Sequence, residues 1–461
     1  MTAAHRFHPT SLREYDVRGT YGTTLTEADA AALGRAFGTR VRALGGGHVA
    51  IGRDGRLSSP ALSAALAEGL TEAGCDVTDI GLGPTPMLYF ATYHLPADAG
   101  VMVTGSHNPP DMNGFKMMLK GKPFFGADIQ DLGRIAAEAA WTNGAGTVQT
   151  ADIREAYTVA VAGAYDSEKT FSVVWDCGNG AAGAVIDDIV RRLPGRHMLL
   201  CEEVDGTFPN HHPDPTVEAN LQQLMSAVRG IGADFGIAFD GDGDRIGVVD
   251  GKGRMLFGDQ ILLLLARDVL REHPGGTIIA DVKASQVLFD GIAEAGGTPL
   301  MYRTGHSLIK AKMAEVKSPL AGEMSGHIFF ADKWYGFDDA LYVGVRFIAM
   351  MARAGKSLAE LRDAIPAMMN TPELRFDCDD ERKFHVVAEV VGRLRGAGAD
   401  FSDIDGARVM TADGWWLLRA SNTQAVLVAR CEAATEAGLQ RLKDALAQQL
   451  RLSGVEPPAG F

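Results

Sequence analysis

Apolar positions in this chain repeat one plan: a short strand, a polar turn carrying Asp, an amphipathic helix, a Gly break and a second strand. The first copy is His48-Val49-Ala50-Ile51-Gly52-Arg53-Asp54, a helix from Ser59 to Ala73, Gly74, and Asp76-Val77-Thr78-Asp79-Ile80. The second runs from Phe171-Ser172-Val173-Val174-Trp175-Asp176 through Gly178-Asn179-Gly180 and a helix over Ala184 to Arg192, ending in a strand from His197 to Cys201. The third is Thr277-Ile278-Ile279-Ala280-Asp281, a helix from Ser285 to Ala295, Gly296-Gly297, and a strand from Pro299 to Tyr302. Strand, crossover helix and strand at this spacing form a βαβ unit, with parallel strands and helices covering the sheet. Three copies predict three similar α/β domains.

From residue 368 onward the pattern changes. Apolar runs at Arg408-Val409-Met410, Trp415-Trp416-Leu417-Leu418 and Ala425-Val426-Leu427-Val428-Ala429 alternate with turns, and a helix from Thr435 to Leu450 closes the chain. This predicts a smaller α+β domain. The expected fold class is therefore α/β with mixed βαβ-type sheets in three domains, 1–151, 152–254 and 255–367, and an α+β domain over 368–461. Asn143 to Gly146, Gly251 to Gly253, and Asn370-Thr371-Pro372 are the candidate breaks.

A length of 461 residues agrees with three or four domains, and 46% hydrophobic with 22% charged residues is a globular mix that excludes disorder. The net charge of −14 gives no general attraction to nucleic acid or anionic lipid, so any anionic ligand must be held by local cations. Five scattered cysteines, Cys75, Cys177, Cys201, Cys378 and Cys431, form no C-x-x-C pair, which fits a reduced cytoplasm and argues against a zinc site or a disulfide scaffold. The sequence shows no targeting or transmembrane pattern: Met1 to Tyr15 has no apolar run, and Ile261 to Ala266 is far short of a bilayer span.

Several loops carry chemistry. Thr104-Gly105-Ser106-His107-Asn108-Pro109-Pro110 follows the apolar strand Gly100 to Val103 and offers a hydroxyl, an imidazole and an amide; a Pro-punctuated turn has the same composition. Asp240-Gly241-Asp242-Gly243-Asp244-Arg245 follows Phe235 to Phe239, and three carboxylates at alternate positions ask for a hard cation. An EF-hand is excluded, because Arg245 and Gly251 stand where that loop needs Gly and Glu. Three acidic ligands suit Mg²⁺ completed by a phosphate oxygen. Gly178-x-Gly180-x-x-Gly183, with Glu202 and Glu203 downstream, satisfies the dinucleotide fingerprint formally, although packing alone can require such glycines. Gly322-Glu323-Met324-Ser325-Gly326-His327 suits hydrogen bonds to vicinal sugar hydroxyls, or an ordinary loop. Arg419-Ala420-Ser421-Asn422-Thr423 offers donors matched to a phosphate dianion, or a hairpin turn.

In this order, the motifs resemble the α-D-phosphohexomutase family, most closely its bacterial phosphomannomutase/phosphoglucomutase members, from Tyr15-Asp16-Val17-Arg18-Gly19 to Arg419-Ala420-Ser421-Asn422-Thr423. The resemblance implies four domains around one central cleft. It implies that Ser106 is the phosphoserine that gives and takes the phosphoryl group, and that Asp240, Asp242 and Asp244, with that phosphate, hold Mg²⁺. Glu323 and Ser325 would bind sugar hydroxyls with His327 supporting them, while Arg419, Ser421, Asn422 and Thr423 grip the non-reacting phosphate. Arg18, Lys116, Arg245, Lys283 and His306 would line the reaction centre, flanked by Tyr15, His107 and Asn108. Lys116 and His306 are the implied holders of the acid and base protons, with the assignment between them open.

The implied activity interconverts hexose 1-phosphate and hexose 6-phosphate through glucose 1,6-bisphosphate or an equivalent bisphosphate. A glucosamine-phosphate mutase, a metal-dependent sugar-phosphate phosphatase and an NAD-dependent dehydrogenase are the alternatives. Gly-Glu-Met-Ser-Gly-His is similar to the mannose/glucose members, whereas glucosamine-phosphate relatives have Gln at the Met position. The implied partners are small-molecule hexose phosphates, with no nucleic acid and no membrane, on a cytoplasmic monomer or weak dimer.

Overall fold

The computed structural model describes residues 4–422 and 424–457. Each predicted βαβ unit is present with parallel strands. His48–Arg53 pairs with Asp76–Leu82 around the helix Ser59–Glu72. Phe171–Asp176 pairs with Gly195–Leu200 around Gly183–Val190. Thr277–Asp281 pairs with Thr298–Tyr302 around Gln286–Glu294. Gly74 and Gly296 end two of these crossovers at positive φ, a conformation that glycine adopts without a Cβ penalty.

An antiparallel hairpin extends each parallel pair, making all three sheets mixed. Ala99–Val103 lies parallel to the first unit and antiparallel to Met112–Leu119. Phe235–Phe239 and Ile246–Asp250 do the same in the second sheet, and Leu320–Gly322 and Ile328–Phe330 in the third. The fourth sheet is wholly antiparallel and packs the helices Arg382–Gly396 and Glu436–Leu452 on Trp416 and Leu418. The first of these helices lies outside the elements predicted above.

The candidate breaks fare differently. Gly251 to Gly253 is the turn of a hairpin, since Met255–Leu256 pairs back onto Ile246–Asp250 in the second sheet. Asn143 to Gly146 folds back on the first domain, Gly146 N–H donating to the Thr71 carbonyl at 2.9 Å. Asn370 joins the fourth sheet opposite Glu432.

One apolar cluster runs through the first three sheets, including Leu88, Trp175, Ile237, Leu262, Ile278 and Phe347. Its centre is the helix Ala340–Ala354, capped by Asp339 and buried on nearly every side, which explains its almost uninterrupted apolar sequence. The fourth domain has a core of its own. A small apolar cluster, Val282, Trp415 and Leu417, lies where it meets the third.

Candidate active site

All four chemistry-bearing loops are the connections of antiparallel hairpins, one from each sheet. The first three project from equivalent positions, which explains why they converge. The glycine fingerprint at Gly178 to Gly183 is a βα turn with a packing role. A Cβ on Gly180 would lie 2.8 Å from the Gly241 carbonyl, and one on Gly183 would lie 2.0 Å from the Glu202 carbonyl. Backbone therefore occupies the space a pyrophosphate would need.

Ser106 sits at φ 50°, a left-handed conformation unusual for a residue with a Cβ. The surroundings over-determine it. Its N–H donates to Thr104 Oγ1 at 2.9 Å, and Asp54 accepts from Thr104 Oγ1 at 2.9 Å and from the Gly105 N–H at 3.1 Å. Arg56, 1% exposed, donates to the carbonyls of Ser106, Asn108, Pro109 and Met112. The Ser106 hydroxyl donates to Asp240 Oδ2 at 2.8 Å and lies 3.1 Å from His107 Nδ1. Arg18 donates to Asn108 Oδ1 at 3.3 Å and to Asp16 Oδ2 at 2.5 Å, flanking the same loop.

Asp240, Asp242 and Asp244 are all fully buried, with ligand oxygens within 4.8 Å of one another. Lys116 Nζ donates to Asp242 Oδ2 at 2.7 Å and also to Asp244 Oδ2. Burial and the two neighbouring carboxylates push Asp240 well above the usual carboxylate range. Burial works in the same direction on Asp242, but the Lys116 ammonium more than offsets it and holds that carboxyl low. Burial would lower Lys116, yet Asp242 and Asp244 keep it charged far into the alkaline range. Asp242 Oδ1 and Asp244 Oδ1 are buried with no hydrogen-bond partner. Three converging carboxylates with unsatisfied inward oxygens fit a hard divalent cation.

Beyond this loop, Arg245 Nε donates to His327 Nε2 at 3.0 Å, and His327 Nδ1 lies 3.1 Å from Asp338 Oδ2 and 3.6 Å from Asp244 Oδ1. His306 stacks on His327 at 5.3 Å and meets Tyr15 edge-on at 6.0 Å. Burial, with Lys310 nearby, holds His306 well below the usual imidazole range, and burial with Arg245 does the same to His107. Burial therefore favours the neutral form of both rings. Glu323 accepts from the Gly305 N–H at 2.7 Å, and burial raises its carboxyl. Ser325 is half-buried on the same loop.

The fourth domain closes the site. Arg419 Nε donates to Asp405 Oδ2 at 2.9 Å, and Asn422 Nδ2 donates to Tyr15 Oη at 2.6 Å. The Tyr15 hydroxyl donates in turn to the Thr304 carbonyl at 2.9 Å, joining three domains. Lys283 Nζ donates to Glu373 Oε2 at 3.0 Å and lies 3.9 Å from Asp281 Oδ2. Ser421 begins the turn, its N–H donating to the Val426 carbonyl at 3.0 Å; Thr423 lies outside the described residues. Contacts thus run without a break from Ser106 through the acidic loop, His327, His306 and Tyr15 to Asn422.

Sequence reasoning missed the supports. Asp54 and Arg56 stand in a charged turn just past a strand, where base rates favour solvent. Asp338 stands beside Asp339, the N-cap of the helix Ala340–Ala354, and neither was singled out in the sequence.

Models of all four domains described as phosphoglucomutase/phosphomannomutase match the chain, covering domain I at 9–142, II at 153–253, III at 257–369 and the C-terminal domain at 373–449. A phosphomannomutase/phosphoglucomutase of Pseudomonas putida is 46% identical over 95% of each chain, and one from Pseudomonas aeruginosa is 42% identical over 98% of each. The crystal structure of a phosphoglucomutase/phosphomannomutase family protein from Burkholderia thailandensis superposes with a TM-score of 0.92 at 42% identity, covering 97% of this chain and 98% of that one. With the serine loop in direct contact with the acidic loop and a match along nearly the whole length, this chain belongs to the phosphoglucomutase/phosphomannomutase family.

Proposed function

We propose that this protein is a phosphohexomutase that interconverts the 1- and 6-phosphates of mannose and glucose by a phosphoserine relay at Ser106. The supporting observation is the 2.8 Å hydrogen bond from the Ser106 hydroxyl to Asp240, which joins the nucleophile of one domain to the acidic loop of another. Phosphoryl transfer needs positioning and charge neutralisation more than covalent chemistry, and both are built around this serine.

Asp240, Asp242 and Asp244 would hold Mg²⁺, which would neutralise charge on the transferring phosphoryl oxygens. Phospho-Ser106 gives its phosphoryl group to the free 6- or 1-hydroxyl of the bound monophosphate: the Ser106 Oγ–P bond breaks, a sugar O–P bond forms, and the hydroxyl proton leaves to a base. His306, kept neutral, is suited to accept that proton, while Lys116 and Arg245 are the cations available to the phosphoryl group. The bisphosphate turns end for end and returns its other phosphate to Ser106. Glu323 and Ser325 hold ring hydroxyls in both orientations. Arg18, His107, Asn108 and Lys283 line the path, and Arg419, Ser421, Asn422 and Thr423 grip the idle phosphate beside Tyr15.

The working units are 1–151, 152–254, 255–367 and 368–461, acting as a cytoplasmic monomer or weak dimer. No helix among the described residues is long and apolar enough to cross a membrane. The reading is tested by phosphorus NMR with Mg²⁺, a trace of glucose 1,6-bisphosphate, and mannose, glucose or glucosamine 1-phosphate in separate samples. A 6-phosphate resonance growing fastest from mannose or glucose 1-phosphate is expected. Inorganic phosphate alone would identify a phosphatase, and a fastest glucosamine sample a glucosamine-phosphate mutase.

A further inference from the structure

Outside the active site, the carboxyl ends of the second domain's parallel strands hold a second group of ligating side chains. Asp176 ends one strand, Cys201 follows the end of its neighbour, and the returning loop brings His211 over both. One ligand atom from each lies within 4.8 Å of the other two. Asp176 is fully buried and is oriented by the Gly178 N–H, which donates to Oδ1 at 3.0 Å.

The histidine supplies an independent observation. Its Nδ1 faces the His212 carbonyl at 3.1 Å, while its Nε2 faces Asp176 Oδ2 at 3.0 Å and Oδ1 at 3.1 Å. Both ring nitrogens therefore face acceptors. A neutral imidazole has one N–H to offer, and a donation from Nδ1 to the carbonyl leaves the Nε2 lone pair pointing at a carboxylate. The arrangement suits an imidazolium, which donates from both nitrogens, or a neutral ring that ligates a metal through Nε2 beside the carboxylate. Ring N–H donation to a backbone carbonyl is also the usual way in which a metal-ligating histidine is oriented. The third group, the Cys201 sulfur, faces the same Asp176 carboxylate and donates to Gln223 Oε1 at a long 3.6 Å, which brings a soft donor to the pair.

We propose that Asp176, Cys201 and His211 form a binding site for one thiophilic divalent cation, Zn²⁺ by preference. One nitrogen, one sulfur and one oxygen ligand, with water completing a tetrahedron, is a zinc donor set and a poor one for Mg²⁺. The site is separate from the all-oxygen loop at Asp240 to Asp244, yet mechanically close to it. The loop bearing His211 continues to Pro213, whose Cγ lies 3.4 Å from where a Cβ on Gly241 would stand. A bound ion would tie this loop to both strand ends and stiffen the support behind the acidic loop.

The test uses Co²⁺ as a spectroscopic substitute for Zn²⁺ on the Mg²⁺-saturated full-length protein. The expected result is a thiolate-to-cobalt charge-transfer absorption that saturates at one equivalent, disappears on adding Zn²⁺, and is lost in Cys201→Ser. The band should survive in Asp242→Asn and in Cys378→Ser. His211→Gln should weaken cobalt binding by at least about tenfold. Circular dichroism on each variant confirms that it is folded. No charge-transfer band in the wild type, or a band that persists in folded Cys201→Ser, overturns the proposal.

Discussion

The loop carrying Ser106 and the loop carrying Asn422 are both hairpin turns aimed at one site, and they are held in opposite ways. Around Ser106, Asp54 and Arg56 fix the backbone through buried hydrogen bonds, within a body whose three sheets share one apolar cluster. Around Asn422, the side-chain amide reaches another domain through the Tyr15 hydroxyl. The fourth domain meets the third mainly through polar contacts: Arg408 to the Val282 and Ala284 carbonyls, Arg430 to the Lys283 carbonyl, and Glu432 to Ser285. Hydrogen bonds from charged groups of this kind are worth about 1.5–3 kcal/mol each, whereas exposing a shared apolar core costs about 25 cal/mol per Å². Under the relay proposed above, the Ser106 loop would stay in place and the Asn422 loop would release, the two properties that turnover of a bisphosphate would require.

The largest expected effect tests the fixed region. Ser106→Ala should lower mutase turnover by more than about 10³-fold, measured in a coupled assay. Lys116→Met leaves the three buried carboxylates without their ammonium and should destabilise the metal-free protein by about 3–5 kcal/mol in urea unfolding. Added Mg²⁺ should recover part of that loss. Arg56→Met, which removes the bonds from this side chain to the Ser106, Asn108, Pro109 and Met112 carbonyls, should reduce kcat by about 10–100-fold through misplacement of Ser106 while moving KM little. An equal rise in KM would show that Arg56 acts on binding instead.

Acid pH gives a smaller, signed effect. Burial holds His306 below its ordinary value of 6.5, so the unfolded chain takes up this proton first. Stability from the neutral ring is present above about pH 6.5 and is lost as the pH falls further. His306→Gln should flatten that part of the stability curve, leaving the slope that His107 contributes in the same sense. Smallest of all, Tyr15→Phe should loosen the fourth domain by about 1 kcal/mol, read as faster amide exchange in 421–426 with exchange around Ser106 unchanged.

The same contrast explains what the sequence revealed. Strand and helix periodicity exposed the three βαβ units, because burial against a common core imposes a regular pattern on Val173, Ile278 and their neighbours. Loops with unusual chemistry, such as Asp240 to Asp244, stood out by composition. The groups that hold those loops did not. Arg56 and Asp338 resemble surface charges until the chain closes over them, since the Ser106 carbonyl that holds Arg56 and the Lys310 ammonium and His327 imidazole that hold Asp338 lie 11 or more residues away in sequence. The hairpin character of the site loops was hidden for a related reason: antiparallel pairing depends on which strand the fold places alongside.

The most direct measurement is label transfer from Ser106. Protein carrying radiolabelled phosphate on this serine is mixed with unlabelled glucose 1-phosphate and Mg²⁺, and protein and sugar fractions are counted over time. The expected result is label leaving the protein for the hexose bisphosphate and monophosphate pools at least as fast as 6-phosphate accumulates. Formation of 6-phosphate while the label stays on the chain would contradict a relay through Ser106.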